Sequence, residues 1–462
     1  MGKRISNYLN RKKSHAATLA FFRIAFGSLM FFSVIRFWSK GWIESLYIKP
    51  NFHFKYFGFE WVQDFGNYTY ILFILCLISS LFVTIGFKYR ISIISFFIFF
   101  TYVELIDKTT YLNHYYLTSC ISFIMCFLPA GVYFSIDNLI RGSKIEEVPS
   151  WAVDSLKFFI CIVYFYAGIA KINSDWLLDA QPLSIWLKSK YDLPIIGQTL
   201  LQQKSIHYLA SWFGMIYDVC IPFLLLYSRT KYIAFFFVII FHVLTKVFFP
   251  AIGMFPYIMI FGTVIFFDSK IHIIILNKIE RIVKKLSVFL NIKSFELVKK
   301  NNSNSIHYPR FAPLFLSIFL LIQVIIPFRY ALYPGELFWN EQGYRFSWRV
   351  MLIEKKGFTE FKIVDRETSD SFYVLNENFL TEFQERQMSI QPDFILEFAH
   401  YIGDYYNNNG YSDVEVYAES YVTLNGRVSK VFVDPNVDLM KEKRGFSNKK
   451  WITKLEDEIK GF

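Results

Sequence analysis

Nine apolar windows of bilayer length constrain this chain more than any other feature. They recur at about 16–37, 70–87, 91–106, 112–134, 152–172, 208–228, 232–249, 251–267 and 312–328. A helix needs roughly 17–25 apolar residues to cross the hydrocarbon core. A soluble fold has no place for so many such windows. Hydrophobic residues make up 54% of the chain, and phenylalanine alone contributes 54 of the 462 residues, more aromatic surface than a water-facing fold can cover. The windows predict a polytopic α-helical membrane protein of about nine transmembrane helices. Beyond residue 330 the composition turns polar. The chain therefore divides into a transmembrane domain over 1–330 and a C-terminal β-rich exoplasmic domain over 331–462.

Loop charge gives the orientation. The first window follows Arg11-Lys12-Lys13 without a small-residue cleavage site, so it reads as a retained span. Basic loops stay cytoplasmic, which puts the N-terminus there. Alternating from that point, Lys88 and Arg90, Arg141 and Lys144, and Arg229 and Lys231 share the cytoplasmic side. So does the block Lys270, Lys278, Arg281, Lys284, Lys285, Lys293, Lys299, Lys300 and Arg310. An odd number of spans then carries everything after Phe328 to the exoplasmic face. The net charge of +11 is loop charge facing anionic lipid, and nucleic-acid binding is a poor reading of it. Over 271–290, Ile275, Ile279, Ile282, Val283 and Leu286 share a helical face opposite Lys278, Arg281, Lys284 and Lys285, the pattern of an interfacial helix. All five cysteines (Cys76, Cys120, Cys126, Cys161, Cys220) fall inside windows. They read as buried inert thiols, with no disulfide and no thiol metal site. Zinc-binding His-Glu-x-x-His spacing and Gly-rich phosphate loops are absent.

The C-terminal part carries strand signals. Val414, Val416, Ala418, Val422 and Leu424 lead into Asn425-Gly426, and Val428 and Val431-Phe432-Val433 follow. Asn-Gly between such runs predicts a hairpin, because both turn positions need positive φ. A second strand pair is expected over 360–375. Pro392 opens a helix with Phe394, Ile395, Phe398, Ala399 and Ile402 on one side.

The polar residues set in the windows cluster at one depth. Asn113 and His114 open the fourth window from outside, and Lys171 closes the fifth. His242 and Lys246 stand four apart in the outer half of the seventh, and Gly253-Met-Phe-Pro-Tyr257 opens the eighth; Asp218 lies deeper in the sixth. Shared depth is necessary for a common pocket. Each also has a structural reading. Lys171 and Lys246 can snorkel, and the histidines can be satisfied by carbonyls. Asp218 can pair with a basic neighbour and fix packing, and Gly253 and Pro256 can mark a helix start and kink.

The wording of these segments adds to the reading. Tyr-Leu-Asn-His-Tyr-Tyr-Leu (111–117), Ala-Gly-Ile-Ala-Lys-Ile-Asn-Ser-Asp-Trp (167–176), Phe-His-Val-Leu-Thr (241–245) and Ile-Gly-Met-Phe-Pro-Tyr (252–257) resemble the vitamin K-dependent gamma-glutamyl carboxylase family. Its membrane part belongs to the wider group of horizontally transferred transmembrane domains. Tyr344-Arg-Phe-Ser-Trp-Arg-Val-Met-Leu352, Leu424-Asn-Gly-Arg427 and Asp434-Pro-Asn-Val-Asp-Leu439 resemble the luminal region of that family. The resemblance implies an enzyme that oxidises a reduced vitamin K (menaquinol in a bacterial inner membrane) with O2 to its epoxide, and adds CO2 to glutamate of a protein substrate on the exoplasmic, periplasmic side. It implies Lys171 as catalytic base, with Asn113 and His114 holding the quinol oxygens or a developing oxyanion. His242, Gly168, Met254 and Tyr257 would form the quinol pocket, and small Ala167, Gly168 and Ala170 would leave room for a flat ring. It implies no metal. The chain departs from the pattern at Ala170, where a second lysine is usual, and in lacking cysteines for the disulfide of the animal enzymes. The alternatives are a quinol epoxidase or other quinone- or lipid-linked enzyme without carboxylation, and a non-catalytic quinone-binding protein.

Overall fold

The computed structural model describes residues 12–142, 145–289 and 309–461, without the side chains of 286–289. Arg11, Lys144, Lys293, Lys299, Lys300 and the Leu286 side chain lie outside the described residues. The membrane part consists of α1 (Ala17–Ser39), α2 (Thr69–Ile85), α3 (Tyr89–Ile106), α4 (Asn113–Phe127), α5 (Ser150–Ile169), α6 (Lys204–Leu226), α7 (Lys231–Phe248), α8 (Phe255–Thr263), α9 (Ser269–Phe289) and α10 (Ala312–Ile325). Among the described residues, seven of these (α1, α2, α3, α5, α6, α7 and α10 with their flanking turns) are long and apolar enough to cross a membrane alone. The fourth and eighth windows give shorter helices. α4 has 15 residues and ends at Phe127, with the extended Leu128 leading into Pro129. α8 has 9 residues and is extended only by a 3-10 turn over Val264–Phe266. Apolarity alone does not register these terminators: proline withholds a backbone donor, and Gly253, at φ +70°, delays the start of α8.

Contacts at the helix ends fix how the bundle is threaded. Strand β1 (Lys13–His15) pairs antiparallel with β2 (Glu147–Pro149), so α1 and α5 start at the same face. Arg23, buried in the second turn of α1, donates to the carbonyls of Val83 and Thr84 at the end of α2 and to that of Phe134 beyond α4. The Asp137 carboxylate accepts the backbone N–H groups of Lys88 and Tyr89 at the start of α3. At the opposite face, Tyr116 in α4 donates to Gln323, and Tyr166 in α5 donates to the Val324 carbonyl, both near the end of α10. α8 begins with the Phe255 ring beside His242 and leads to Asp268, which pairs with Lys231 at the start of α7. The two short helices therefore also connect opposite faces. Ile71, Ile78, Ile91, Ile98, Phe236 and Leu321 are exposed around the outside, an apolar belt that only lipid can cover.

Two details differ from the expectation. Cys76, Cys120 and Cys126 are buried, but Cys161 is only partly so and Cys220 is exposed on the outer side of α6; all five are free. α9 leaves α8 with a bend of 117°. It packs against the start of α1 through His272 and Leu276, while Ile282 and Val283 are exposed. The His272 ring, bonded to Thr18 and to the Val264 carbonyl, turns the helix by that face instead of the one centred on Ile282.

The C-terminal part is a four-stranded antiparallel sheet in the order β4-β3-β5-β6, from β3 (Lys355–Val364), β4 (Ser371–Val374), β5 (Glu415–Leu424) and β6 (Lys430–Val431). Helices α11 (Glu382–Met388) and α12 (Pro392–Asn408) cover one face. Alternation along β5 buries Val416, Ala418, Val422 and Leu424 against Phe394, Ile395, Phe398 and Ile402 of α12. Asn425 and Gly426 take φ of 50° and 83°, and the Arg427 N–H donates back to the Leu424 carbonyl at 3.0 Å, the expected hairpin turn. Val428 is not a strand residue; it lies 84% exposed in the loop before β6. The same core takes in Phe54, Trp176, Leu183, Leu187 and Leu201 from connections between membrane helices.

Buried charges also join the two parts. Lys108, beyond α3, pairs with Asp393 at 2.8 Å and with Glu397 at 3.0 Å, and Arg345 pairs with Asp393 at 2.7 Å. Burial pushes the Asp393 carboxyl up, but Arg345 and Lys108 overcome this and hold it well below the usual carboxylate range. A depressed carboxyl contributes stability that is fully present above its unfolded value of about 3.9 and is lost as pH falls below it. The thermal midpoint of the wild type is therefore expected to fall more between pH 5 and pH 3 than that of Asp393→Asn. Parallel falls in scanning calorimetry would remove this pair as the acid-sensitive clamp.

Candidate active site

Tyr164 and Ala167 stand at i and i+3 on one face of α5, and Lys171, in the turn just past its end, continues that face toward the bundle interior. They form one wall of a cavity of about 210 Å³. α6 adds Phe213, Gly214 and Asp218, α7 adds Phe241, His242 and Thr245, and Ile252, Phe255 and Met259 close the α8 side. The volume exceeds the ~150 Å³ of an engineered apolar cavity that admits benzene. Phe213 and Leu244 line the cavity and are also 41% and 44% exposed on the outer surface of α6 and α7. Between them the wall is reached from the lipid side.

Lys171 is 5% exposed. Its Nζ donates to the Ala167 carbonyl at 2.9 Å and to Asp218 Oδ2 at 2.7 Å, and stands 5.4 Å above the Trp176 ring. Trp176 is itself fixed by its indole N–H on the Ser211 carbonyl at 2.8 Å. Lys171 is thus neither snorkelling nor a solitary amine. It forms a buried pair with Asp218, and the pair carries no net charge into the apolar wall. Gly168 makes this possible. A Cβ there would lie 2.6 Å from the Val219 backbone nitrogen, so α5 and α6 touch at that point and Asp218 reaches Lys171. The glycine's free space is filled by α6 and is not open to a ring, which corrects its expected place in the pocket. Gly168→Ala is expected to cost about 1–3 kcal/mol by overpacking, read as a lower thermal midpoint. An unchanged midpoint would mean the helices do not meet there.

His242 shares a hydrogen bond of 2.8 Å with the Tyr164 hydroxyl through Nε2. Its Nδ1 is buried without a hydrogen-bond partner among the described residues. A buried polar atom in a cavity wall is costly unless something pairs with it. A flat, largely apolar molecule with an oxygen substituent fits both the wall and this atom.

The C-terminal part supplies the roof. Val350 and Met351 line the cavity from above. The buried Trp348 is wedged into the bundle, 5.0 Å from the Tyr116 ring and 5.6 Å from Phe159. Phe346, Trp348 and Met351 have φ of 62°, 59° and 57°, conformations that non-glycine residues hold only when packing enforces them.

The other expected residues fall elsewhere. Asn113 donates to the Arg349 carbonyl at 3.1 Å and accepts from the Tyr111 hydroxyl, so it tethers the roof and does not line the cavity. His114 is also outside the wall, behind Phe255, whose ring centre is 6.5 Å from His114 and 5.8 Å from His242. Met254 and Tyr257 are not in the wall either. The turn of α8 aims Ile252, Phe255 and Met259 inward, and Tyr257 is exposed. Lys246, partly exposed, donates to the Pro250 carbonyl at 2.8 Å. Asp175, close beyond Lys171, is gripped by both terminal nitrogens of Arg427 at 2.7 Å and by Asn425 at 2.8 Å. The hairpin turn is therefore also a clamp on the loop that follows Lys171, a contact that strand patterning does not reveal.

The family model of the HTTM domain matches residues 10–270. That of the vitamin K-dependent gamma-carboxylase lumenal domain matches residues 308–458. No solved structure matches the chain.

Proposed function

Because the chain belongs to the vitamin K-dependent gamma-carboxylase family, with an HTTM membrane domain and a lumenal domain, we propose that it couples oxygenation of a reduced naphthoquinone to carboxylation of protein glutamate. Menaquinol is the proposed quinol, and the N-terminus is placed in the cytoplasm, leaving the lumenal domain on the exoplasmic side. When bound, the quinol supplies with O2 the driving force for removing a γ-proton that no side-chain base can take. The observation that carries the reading is Lys171 Nζ in the wall of a roofed apolar cavity, 2.7 Å from Asp218.

The residues divide the remaining work. Asp218 is placed to receive the Lys171 proton, which leaves the amine free to take one from a quinol hydroxyl. His242 Nδ1 orients the quinol by pairing with its oxygen. The aromatic wall and the Val350-Met351 roof exclude water, and the gap beside Phe213 and Leu244 admits an isoprenoid tail from lipid. Asn113 acts through the roof, as a positioning residue. The test supplies the reconstituted protein with reduced menaquinone, O2, labelled bicarbonate and a glutamate-rich peptide. Epoxide and peptide-bound label in equal amounts are expected. Epoxide without label would assign a quinol epoxidase, and tight quinone binding without turnover a binding protein.

A further inference from the structure

A second cavity, of about 420 Å³, lies among α3, α4 and α10 and shares no wall residue with the cavity of Lys171. Helical spacing turns one face of each helix into it. Thr101 and Glu104 stand three apart on α3, Ser119 and Phe123 four apart on α4, and Phe319 and Gln323 four apart on α10. Glu104 and Gln323 lie near the ends of their helices, at the face that meets the C-terminal part. Phe346 of the roof segment closes the cavity on that side. Phe59 is also in the wall and is 40% exposed, which leaves the cavity open to the membrane surface.

Two polar groups of this wall are left over by the fold. Glu104 is its one acid, and no lysine, arginine or histidine lines it. Among the described residues Glu104 makes neither a hydrogen bond nor an ion pair. Gln323 is 3% exposed, and its Oε1 accepts from the Tyr116 hydroxyl at 2.9 Å. Its amide nitrogen has no partner among the described residues. A solitary carboxyl inside a span is costly, and so is a buried amide donor without an acceptor. The first calls for a cation with N–H groups, the second for an acceptor oxygen. An ethanolamine phospholipid head carries both, as an ammonium beside a phosphate. The Phe123 and Phe319 rings supply an apolar wall for the chains behind it.

We propose that the cavity among α3, α4 and α10 is a binding site for an amine-bearing phospholipid, with Glu104 accepting from the head-group ammonium and Gln323 donating to its phosphate. The charge of the wall sets the selectivity. An anionic glycerol head group brings no cation to Glu104 and places its own charge beside it, and a trimethylated amine has no N–H to donate. The bound head group also packs against Phe346, so the lipid is a prop for the roof segment. The site stands whichever reaction the cavity of Lys171 performs.

The test titrates the full chain in detergent micelles with three phospholipids of identical acyl chains: phosphatidylethanolamine, phosphatidylcholine and phosphatidylglycerol. Native mass spectrometry reads the dissociation constant of each. The wild type is expected to bind phosphatidylethanolamine about tenfold or more tightly than either of the others, the worth of one charge-assisted hydrogen bond. Glu104→Gln is expected to bring all three affinities within about twofold of one another. Ile98→Ala, on the exposed outer side of α3, should keep the wild-type preference. Equal affinities in the wild type would mean that lipid only coats the apolar belt, and would overturn the site. So would a preference that survives Glu104→Gln, or phosphatidylcholine bound as tightly as phosphatidylethanolamine. If Glu104→Gln does not fold, Ser119→Leu carries the same comparison by filling the cavity from α4 with Glu104 intact. Loss of the preference there supports the site, and its persistence overturns it.

Discussion

Lys171→Met is expected to lower epoxide formation about 10²- to 10⁴-fold, the usual worth of a positioned general base, while quinol affinity changes no more than a few-fold. Methionine keeps the apolar stem against the cavity wall and removes only the amine. It also leaves Asp218 buried without its partner, and breaking a buried pair costs about 3–5 kcal/mol. Stability and chemistry can be separated with the double variant Lys171→Met/Asp218→Asn. The double variant is expected to regain most of the lost thermal stability and none of the activity. Asp218→Asn alone leaves the lysine without its proton acceptor, and is expected to be slow with quinol binding intact. Full epoxide production by Lys171→Met, assayed by chromatography of the quinone pool, would remove Lys171 from the reaction.

The second large effect concerns the roof. Trp348 is buried between Tyr116 and Phe159, and truncating such a side chain to alanine costs about 3–5 kcal/mol. Trp348 belongs to the C-terminal part yet lies within the core of the bundle, so the cost falls on docking. Trp348→Ala is expected to expose the 346–351 segment to protease and to lower turnover by admitting water above Val350 and Met351. Val428→Ala, at an exposed loop position, should change neither. A Trp348→Ala variant with wild-type protease resistance would mean the segment is not held by that wedge.

What the sequence revealed followed from local rules. Apolar length set the long spans, period-two alternation set β5, and Asn425-Gly426 and Pro392 marked their own elements because the required φ values belong to single residues. Lys171 and His242 share the cavity wall, as their common depth allowed. That Asp218 could pair with a basic neighbour was legible, but that the neighbour is Lys171 was not. The pair joins residues 47 apart on different helices, and its only trace is the small Gly168 opposite α6. Tyr164 was within reach of pattern reading, since its spacing from Lys171 puts both on one face. The resemblance implies one shared role for Asn113 and His114, which are adjacent in the sequence. Neighbours on a helix point about 100° apart, so one tethers the roof and the other turns to Gly253.

The most direct test of the cavity as the quinol site is photolabelling of the reconstituted protein with an azido-naphthoquinone, followed by peptide mapping. Adducts are expected on α6 and α7 around Phe213, Phe241 and Leu244, suppressed by excess unlabelled naphthoquinone. Adducts spread over the lipid-facing residues of α2 and α3, with no suppression by competitor, would contradict it.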